Sequence, residues 1–357
     1  NFGSFLGFLS GSSWTAWLDG FFLNHSVVTR SFLLEWQREI GLVLELVGAI
    51  GFLLAATRVY GSKMGKRGVA MSGLYRWVRH PQYLCLAVAG WGLLSGWPRF
   101  LLLGIWITML FLYAGLARFE ERRMQERFGD DYQRFAATRG SFLPGSPVHR
   151  MFEASFGRIR PRALGWAASF LFCLTLAYSL GFALRAHTIA SSAIHSDPEN
   201  RALIISVWPQ PEDWMVKVFE AASGPEMVRD RIRENSNDLP VVVTILTPGY
   251  DMKGMYYKPI SPRKSTHLGQ AGFFHPILYR SFMGRDPGTT DAPLEVVFSR
   301  AEKLYRDDLP LEKVLDPDVV LTPLVVVSLV PSSGVVTDVR FPAPQNAWGP
   351  KVVMPIF

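Results

Sequence analysis

Between Gln82 and Ala117 the chain stays apolar for longer than one membrane crossing needs, and charged clusters flank the run on both sides. A bilayer core of about 30 Å takes roughly 20 helical residues at ~1.5 Å each, so the run suits two passes. Gly96-Trp97-Pro98-Arg99 interrupts it near its middle. Pro98 has no N–H and keeps Trp97 extended, so one helix ends there and another begins. The arms, Tyr83–Gly96 and Phe100–Ala117, are slightly short for full spans. The expectation is a helical hairpin with a shallow tip in the far leaflet. Such a hairpin returns both charged clusters to one membrane face, where ionisable groups are costly and usually functional.

More apolar sequence surrounds the hairpin. Ile40–Ala56 holds one charge, Glu45, and Ala163–Leu184 holds none in twenty-two residues, the strongest spanning signal in the chain. Phe5–Leu23 is apolar and aromatic but broken by Gly11-Ser12-Ser13 and Asp19. It reads as a first span or an interfacial segment and lacks the charged leader and cleavage site of a signal peptide. Charge sets the orientation. Arg58, Lys63, Lys66, Arg67, Arg76 and Arg79 precede the hairpin, and ten arginines from Arg118 to Arg162 follow it. Its tip offers Arg99 alone. The positive-inside rule makes both dense loops cytoplasmic. They account for most of the net +7, so the basic balance gives no reason to expect nucleic acid as a partner. The expected location is a bacterial cytoplasmic (inner) membrane, with membrane lipids as neighbours.

The first cluster contains Arg79 and His80 immediately before Pro81, a residue suited to a first helical turn, with Tyr83 two positions on. Glu120 and Glu121 lie at the end of the second arm. The hairpin therefore gathers a guanidinium, an imidazole, a phenol and two carboxylates beside an apolar wall. Such a pocket can hold a zwitterion at its rim and admit an apolar acceptor from the lipid side. Each residue also has an ordinary reading. Arg76, Arg79, Arg122 and Arg123 can snorkel to lipid phosphates, and Glu120 can pair with Arg123 along its helix.

The ordered set Gly73-x-Tyr75-Arg76-x-x-Arg79-His80-Pro81-x-Tyr83-Leu84, the apolar hairpin, Glu120-Glu121-Arg122, Phe128-Gly129-Asp130-Asp131-Tyr132 and Phe142-Leu143-Pro144 resembles the isoprenylcysteine carboxyl methyltransferase and phospholipid methyltransferase superfamily, over about residues 40–144. Membrane-type bacterial thiol methyltransferases are similar too. The resemblance implies S-adenosylmethionine-dependent methyl transfer at the cytoplasmic face. Carried over by position, His80 and Tyr83 contact the cofactor, Glu120 and Glu121 fix its polar groups or sulfonium surroundings, Arg79 steers an anionic group, and Tyr132 closes the pocket. Arg79 and Glu121 are the expected catalytic residues, and His80, Tyr83, Glu120, Glu121 and Tyr132 the expected cofactor-binding ones. The acceptor is a lipophilic molecule or a small thiol, carboxyl or amine compound.

One departure stands out: Cys85 occupies a position where the superfamily usually has glycine. The site is then reshaped, or catalysis is lost and the fold kept. Both cysteines fall in expected spans, and the seven scattered histidines give no metal spacing. The expected organisation is a methyltransferase-like membrane domain over 1–162, a further span over 163–184, a linker over 185–200 and an extracytoplasmic α/β or α+β domain over 201–357. Its strands are expected at 202–208, 241–247, 294–299, 319–330 and 334–341, with helices at Glu212–Asn235 and Arg300–Arg306. Asp251, His267, His275, Asp286 and the Gly269/Gly272 pair are dispersed there, and 273–282 suits a protein interface or ordinary packing. Two functions stay open: a membrane methyltransferase with an appended domain, and a non-catalytic subunit of a membrane complex that keeps the fold and docks protein partners through 201–357.

Overall fold

Apolar runs without proline give long helices, and Trp97-Pro98 divides two of them as its chemistry requires. The computed structural model describes residues 12, 14–64, 72–144, 147–257, 284, 286–287, 291–303, 308–342 and 352–353. A single turn α1 (Phe32–Glu35) precedes α2 (Gln37–Met64), α3 (Pro81–Gly96), α4 (Phe100–Ala137), α5 (Pro147–Ser155) and α6 (Arg162–Ala190). Two compact units result: Arg38–Gly96 with Leu102–Leu180, and the described residues of Asn1–Gln37, Trp97–Leu101 and Gly181–Phe357.

The first unit is helical. Gln37–Ser62, Phe100–Ala137 and Arg162–Ala190 are long and apolar enough to cross a membrane. They expose large apolar side chains along their length, among them Val43, Ile50 and Leu54 on α2 and Leu171, Leu176 and Leu180 on α6. Water does not tolerate such faces but lipid does, so this is a membrane protein. α3, at 16 residues, extends only about 24 Å. α4 runs well past the expected end at Ala117, because helix-forming residues continue to Phe128. Gly129 then breaks it with φ +50 and ψ −124, backbone angles that suit glycine alone.

Small residues draw α2 and α3 together. A Cβ at Gly92 would lie 2.5 Å from the backbone of Glu45, one at Gly48 2.5 Å from Ala89, and one at Gly41 2.6 Å from Ser95. Close approach through glycine is how membrane helices gain packing without a hydrophobic driving force. Cys85 belongs to this seam. A Cβ at Gly51 would meet its sulfur at 2.7 Å, so the thiol fills the notch that Gly51 leaves.

The second unit is built on one sheet in the order β1-β2-β3-β4-β5-β6, comprising β1 (Ala193–Asp197), β2 (Ala202–Ser206), β3 (Val241–Leu246), β4 (Leu294–Lys303), β5 (Val319–Val330) and β6 (Val335–Arg340). A short β7 (Val352–Val353) also pairs with β5. Among the described strands only β2 and β3 run parallel, and α7 (Glu212–Ser223) and α8 (Glu226–Ser236) form their crossover. Pro323 sits where the β4–β5 register shifts, so its missing N–H falls at an irregularity. Both faces are covered. Ile204, Val243, Val296 and Val327 pack with Met215, Val218 and Val228 of the two helices. Ile205, Val242, Val297 and Val326 pack with Tyr250, Tyr257, Val314 and Val27.

Several sequence expectations are corrected here. The described part of Phe5–Leu23 is no span: Ala16–Asp19 form a 3-10 turn and Phe21 and Phe22 are buried in the sheet unit. The linker expected at 185–200 is the end of α6 followed by β1. Arg300–Lys303 continue β4 instead of forming a helix, while 304–307 lie outside the described residues. The helix expected at Glu212–Asn235 is two helices, divided at Gly224-Pro225. The hairpin tip also joins this unit. Phe21 and Arg99 form an antiparallel bridge, with Phe22 N donating to Pro98 O at 2.8 Å and Phe100 N to Gly20 O at 3.1 Å. The Arg99 guanidinium pairs with the Asp19 carboxylate and lies 4.4 Å from the Phe21 ring. Buried Arg185 donates to Phe21 O and, at 2.6 Å, to Leu315 O.

Candidate functional site

Proline at the first position of α3 leaves His80 at the helix entrance, after a 3-10 turn over Gly73–Arg76 and the bridge residue Val78. That segment pairs with the tail after α4. Val78 bridges Gly140, Arg79 N donates to Gly140 O at 2.9 Å, and His80 N donates to Ser141 O at 2.9 Å. The tail can return because Gly129 kinks the helix, after which Tyr132 and Phe135 are buried. Arg139 secures it, donating through Nε to Arg76 O at 3.2 Å.

Side chains converge on this frame. Glu120 and Glu121 are consecutive on a helix and so point about 100° apart. They clasp the buried His80 ring from both edges: Nε2 lies 2.9 Å from Glu121 Oε1 and Nδ1 3.6 Å from Glu120 Oε2. Tyr83 donates to Glu120 Oε1 at 2.7 Å. Arg79 donates to Ser141 Oγ at 2.6 Å and lies 3.3 Å from Glu121 Oε1, while Ser141 Oγ donates to the same carboxylate oxygen at 3.0 Å. Arg79 Nε is buried without a hydrogen-bond partner among the described residues. Tyr132 lies within electrostatic reach of Glu121, Arg79 and Glu120. All six sequence-expected residues therefore gather in one place, and Glu120 bonds Tyr83 and faces His80.

Aromatic rings line the cluster. Tyr83 stacks on Tyr113 at 5.0 Å, and His80 stacks on Tyr83 at 5.8 Å and meets Phe142 at 5.9 Å. Burial alone would lower the proton affinity of His80, but the hydrogen bonds and charges of Glu120 and Glu121 outweigh it and raise the pKa above its ordinary value. Burial, followed by the charge of Glu120, keeps the Tyr75 phenol protonated.

Ser141, Tyr113 and Tyr75 do not stand out as site residues in the sequence. Ser141 adjoins the Phe142-Leu143-Pro144 motif, which is a signal of place without a role. Tyr75 lies within the Tyr-x-x-x-Arg-His-Pro run, and Tyr113 looks like ordinary span sequence.

The sheet unit carries no comparable assembly among the described residues, which also contain no group of metal-ligating side chains. Asp286 accepts from Gln210 at 2.9 Å and Asp251 begins a 3-10 turn. His267, His275, Gly269, Gly272 and residues 273–282 lie outside the described residues. Glu295 ties β4 to its neighbours, accepting from Arg340 at 2.8 Å, from Lys253 at 3.3 Å and from Tyr257.

A family described as "Protein of unknown function (DUF1295)" matches residues 20–139. The match covers Arg79, His80, Tyr83, Glu120, Glu121 and Tyr132 and stops before Ser141. No curated protein and no solved structure matches the chain.

Proposed function

We propose that the chain is an integral membrane methyltransferase that uses S-adenosylmethionine on a lipophilic or small thiol, carboxyl or amine acceptor. The observation that carries this reading is the convergence of Arg79, His80, Tyr83, Glu120, Glu121 and Tyr132 at one end of the α3–α4 hairpin. The donor set suits a zwitterion with a cationic centre. Glu120 and Glu121 with the Tyr83 and Tyr113 rings favour positive charge, and the unused Arg79 Nε donor favours a carboxylate. When bound, the cofactor supplies an already activated methyl group. The protein's share is then alignment and exclusion of water, which can contribute on the order of 7–11 kcal/mol. Tyr132 is buried, and the tail after Gly129 places Ser141 and Phe142 against Glu121 and His80. Cys85 supports the enzyme reading more than its sequence position suggests, because its sulfur faces the Gly51 notch.

We further propose that the site faces the cytoplasm of a bacterial inner membrane and that residues 201–357 lie outside it. Basic residues crowd both chain segments at the site end of the hairpin, whereas Arg99 at the tip belongs to the sheet unit. In intact cells, a probe cysteine at Ser236 should react with an impermeant reagent and one at Arg122 should not. The reverse pattern would reject this orientation.

A second reading has one observation in its favour: Arg79 Nε apart, the cluster's polar side chains satisfy one another, with His80, Tyr83, Arg79 and Ser141 all bonded to the two glutamates or to each other. A network closed in this way also suits a non-catalytic subunit that docks protein partners through its sheet unit. Calorimetry on the detergent-purified chain separates the two. The enzyme reading expects binding of S-adenosylmethionine or its demethylated product, weakened more than tenfold by Glu121→Gln or His80→Ala, since losing a charge-assisted hydrogen bond costs roughly 1.5–3 kcal/mol. Absence of binding by the unaltered chain would remove the enzyme reading.

A further inference from the structure

Three large apolar side chains of the sheet unit are exposed on one short element: Phe32 at 71%, Leu33 at 76% and Trp36 at 48%. Their exposure is built in. Leu34 between them is buried, Ser31 Oγ lies 3.1 Å from His187 Nε2, and Arg30 N donates to Ser191 O at 2.8 Å. The Arg30 guanidinium donates to Gln210 O at 2.9 Å, and Gln37 Nε2 donates to Asn24 O at 3.0 Å. α1 is thus held on both flanks with its apolar side chains turned out.

In sequence these side chains directly precede the helix that begins at Gln37 and is long and apolar enough to cross a membrane. Ile40, Val43, Val47, Ile50 and Leu54 of that helix are exposed and follow one another at steps of three or four. That spacing is one stripe of a helix. Trp36, the residue between α1 and α2, keeps right-handed helical angles of φ −95 and ψ 0. Aromatic side chains just before the start of a span suit the headgroup boundary, where a ring can be apolar on its faces and polar at its rim.

We propose that Phe32, Leu33 and Trp36 form an interfacial anchor that enters the headgroup–acyl boundary of the bilayer and holds the sheet unit to the membrane. The anchor rests on the membrane character of the chain and is independent of the methyl-transfer reading. Its occupant is lipid, because the three side chains lie within the last few residues of chain before a helix able to cross the membrane begins at Gln37.

The test uses the full chain with Cys85→Ser and Cys173→Ala and one fluorophore-labelled cysteine, reconstituted in phosphatidylcholine–phosphatidylglycerol nanodiscs. A label at Leu33→Cys should be quenched at least twofold by lipid carrying a shallow spin label and little by aqueous iodide. A label at Met227→Cys, exposed on α8, should show the opposite. Iodide quenching of the Leu33 label equal to that of Met227 overturns the proposal. Shielding from both quenchers overturns it too, in favour of a protein cover. Should the cysteine variants not fold, the unaltered chain serves: a headgroup photo-crosslinking lipid should mark the tryptic peptide 31–38. Labelling of 39–58 without 31–38 would reject the anchor.

Discussion

Ser141 is the residue on which the polar cluster closes, since its hydroxyl accepts from Arg79 and donates to Glu121. Ser141→Ala leaves both partners short of a bond, at a cost of about 1–2 kcal/mol. We expect a melting temperature in detergent several degrees lower for Ser141→Ala, with Ser141→Thr recovering most of the loss. An alanine variant as stable as the parent would deny Ser141 this role. His80 gives a pH signature. Its folded pKa is raised, because the two carboxylates outweigh the opposing effect of burial. The attraction is therefore complete below the unfolded value of about 6.5 and fades as pH rises through the folded value. The stability difference between the parent chain and His80→Gln should shrink as pH rises above the ordinary value of 6.5, read by thermal unfolding at each pH. A difference that grows with pH would reverse the assignment.

Helix packing decides the element scale. Gly48 and Gly92 lie where any Cβ meets backbone, whereas a Cβ added at Gly115 in α4 would have nothing within 4 Å. Gly92→Val should destabilise the chain by about 2 kcal/mol or more through forced helix separation, and Gly115→Ala should gain up to about 1 kcal/mol from lost unfolded-state freedom. Thermal unfolding of the two variants side by side checks both signs. The glycine seam illustrates what cannot be read from sequence: Gly41, Gly48 and Gly51 are visible in the chain, but which helix they face is not. Other elements are legible for physical reasons. β5 falls at 319–330 as expected, because a strand buried on both faces must be apolar throughout. The hairpin and its polar ends are legible because proline and membrane thickness leave few alternatives. By contrast, Arg300 and Glu302 disguise the end of β4: their charged side chains pair with each other at 3.1 Å, flanking the buried Ala301. Phe21 and Phe22, at the end of a segment that reads as a span or interfacial piece, enter a protein core, because apolarity calls equally for lipid and for such a core.

At the scale of the whole molecule, the Asp19–Arg99 pair locks the hairpin tip into the sheet unit, with side chains only 10% and 13% exposed. Removing one partner of such a pair strands the other, at a cost of about 3–5 kcal/mol, whereas replacing both with apolar side chains can be nearly neutral. Asp19→Ala should therefore lower the melting temperature markedly, and the double variant Asp19→Leu with Arg99→Met should restore most of it. Equal losses in the single and double variants would show that the ion pair itself is not what matters. The same unit draws on three separated stretches of chain, and this has a consequence in time. Phe21 waits for Arg185, 164 residues later, and Ser26 for Tyr256, 230 residues later. At a synthesis rate of about 5–20 residues per second, that is a delay of roughly 10–45 s. Throughout it Phe21 and Ser26 lack these later partners, and most of the core they help to build has not yet been made. The sheet unit is therefore the last part of the chain to close, and it closes only after every helix between its first and last segments has been made.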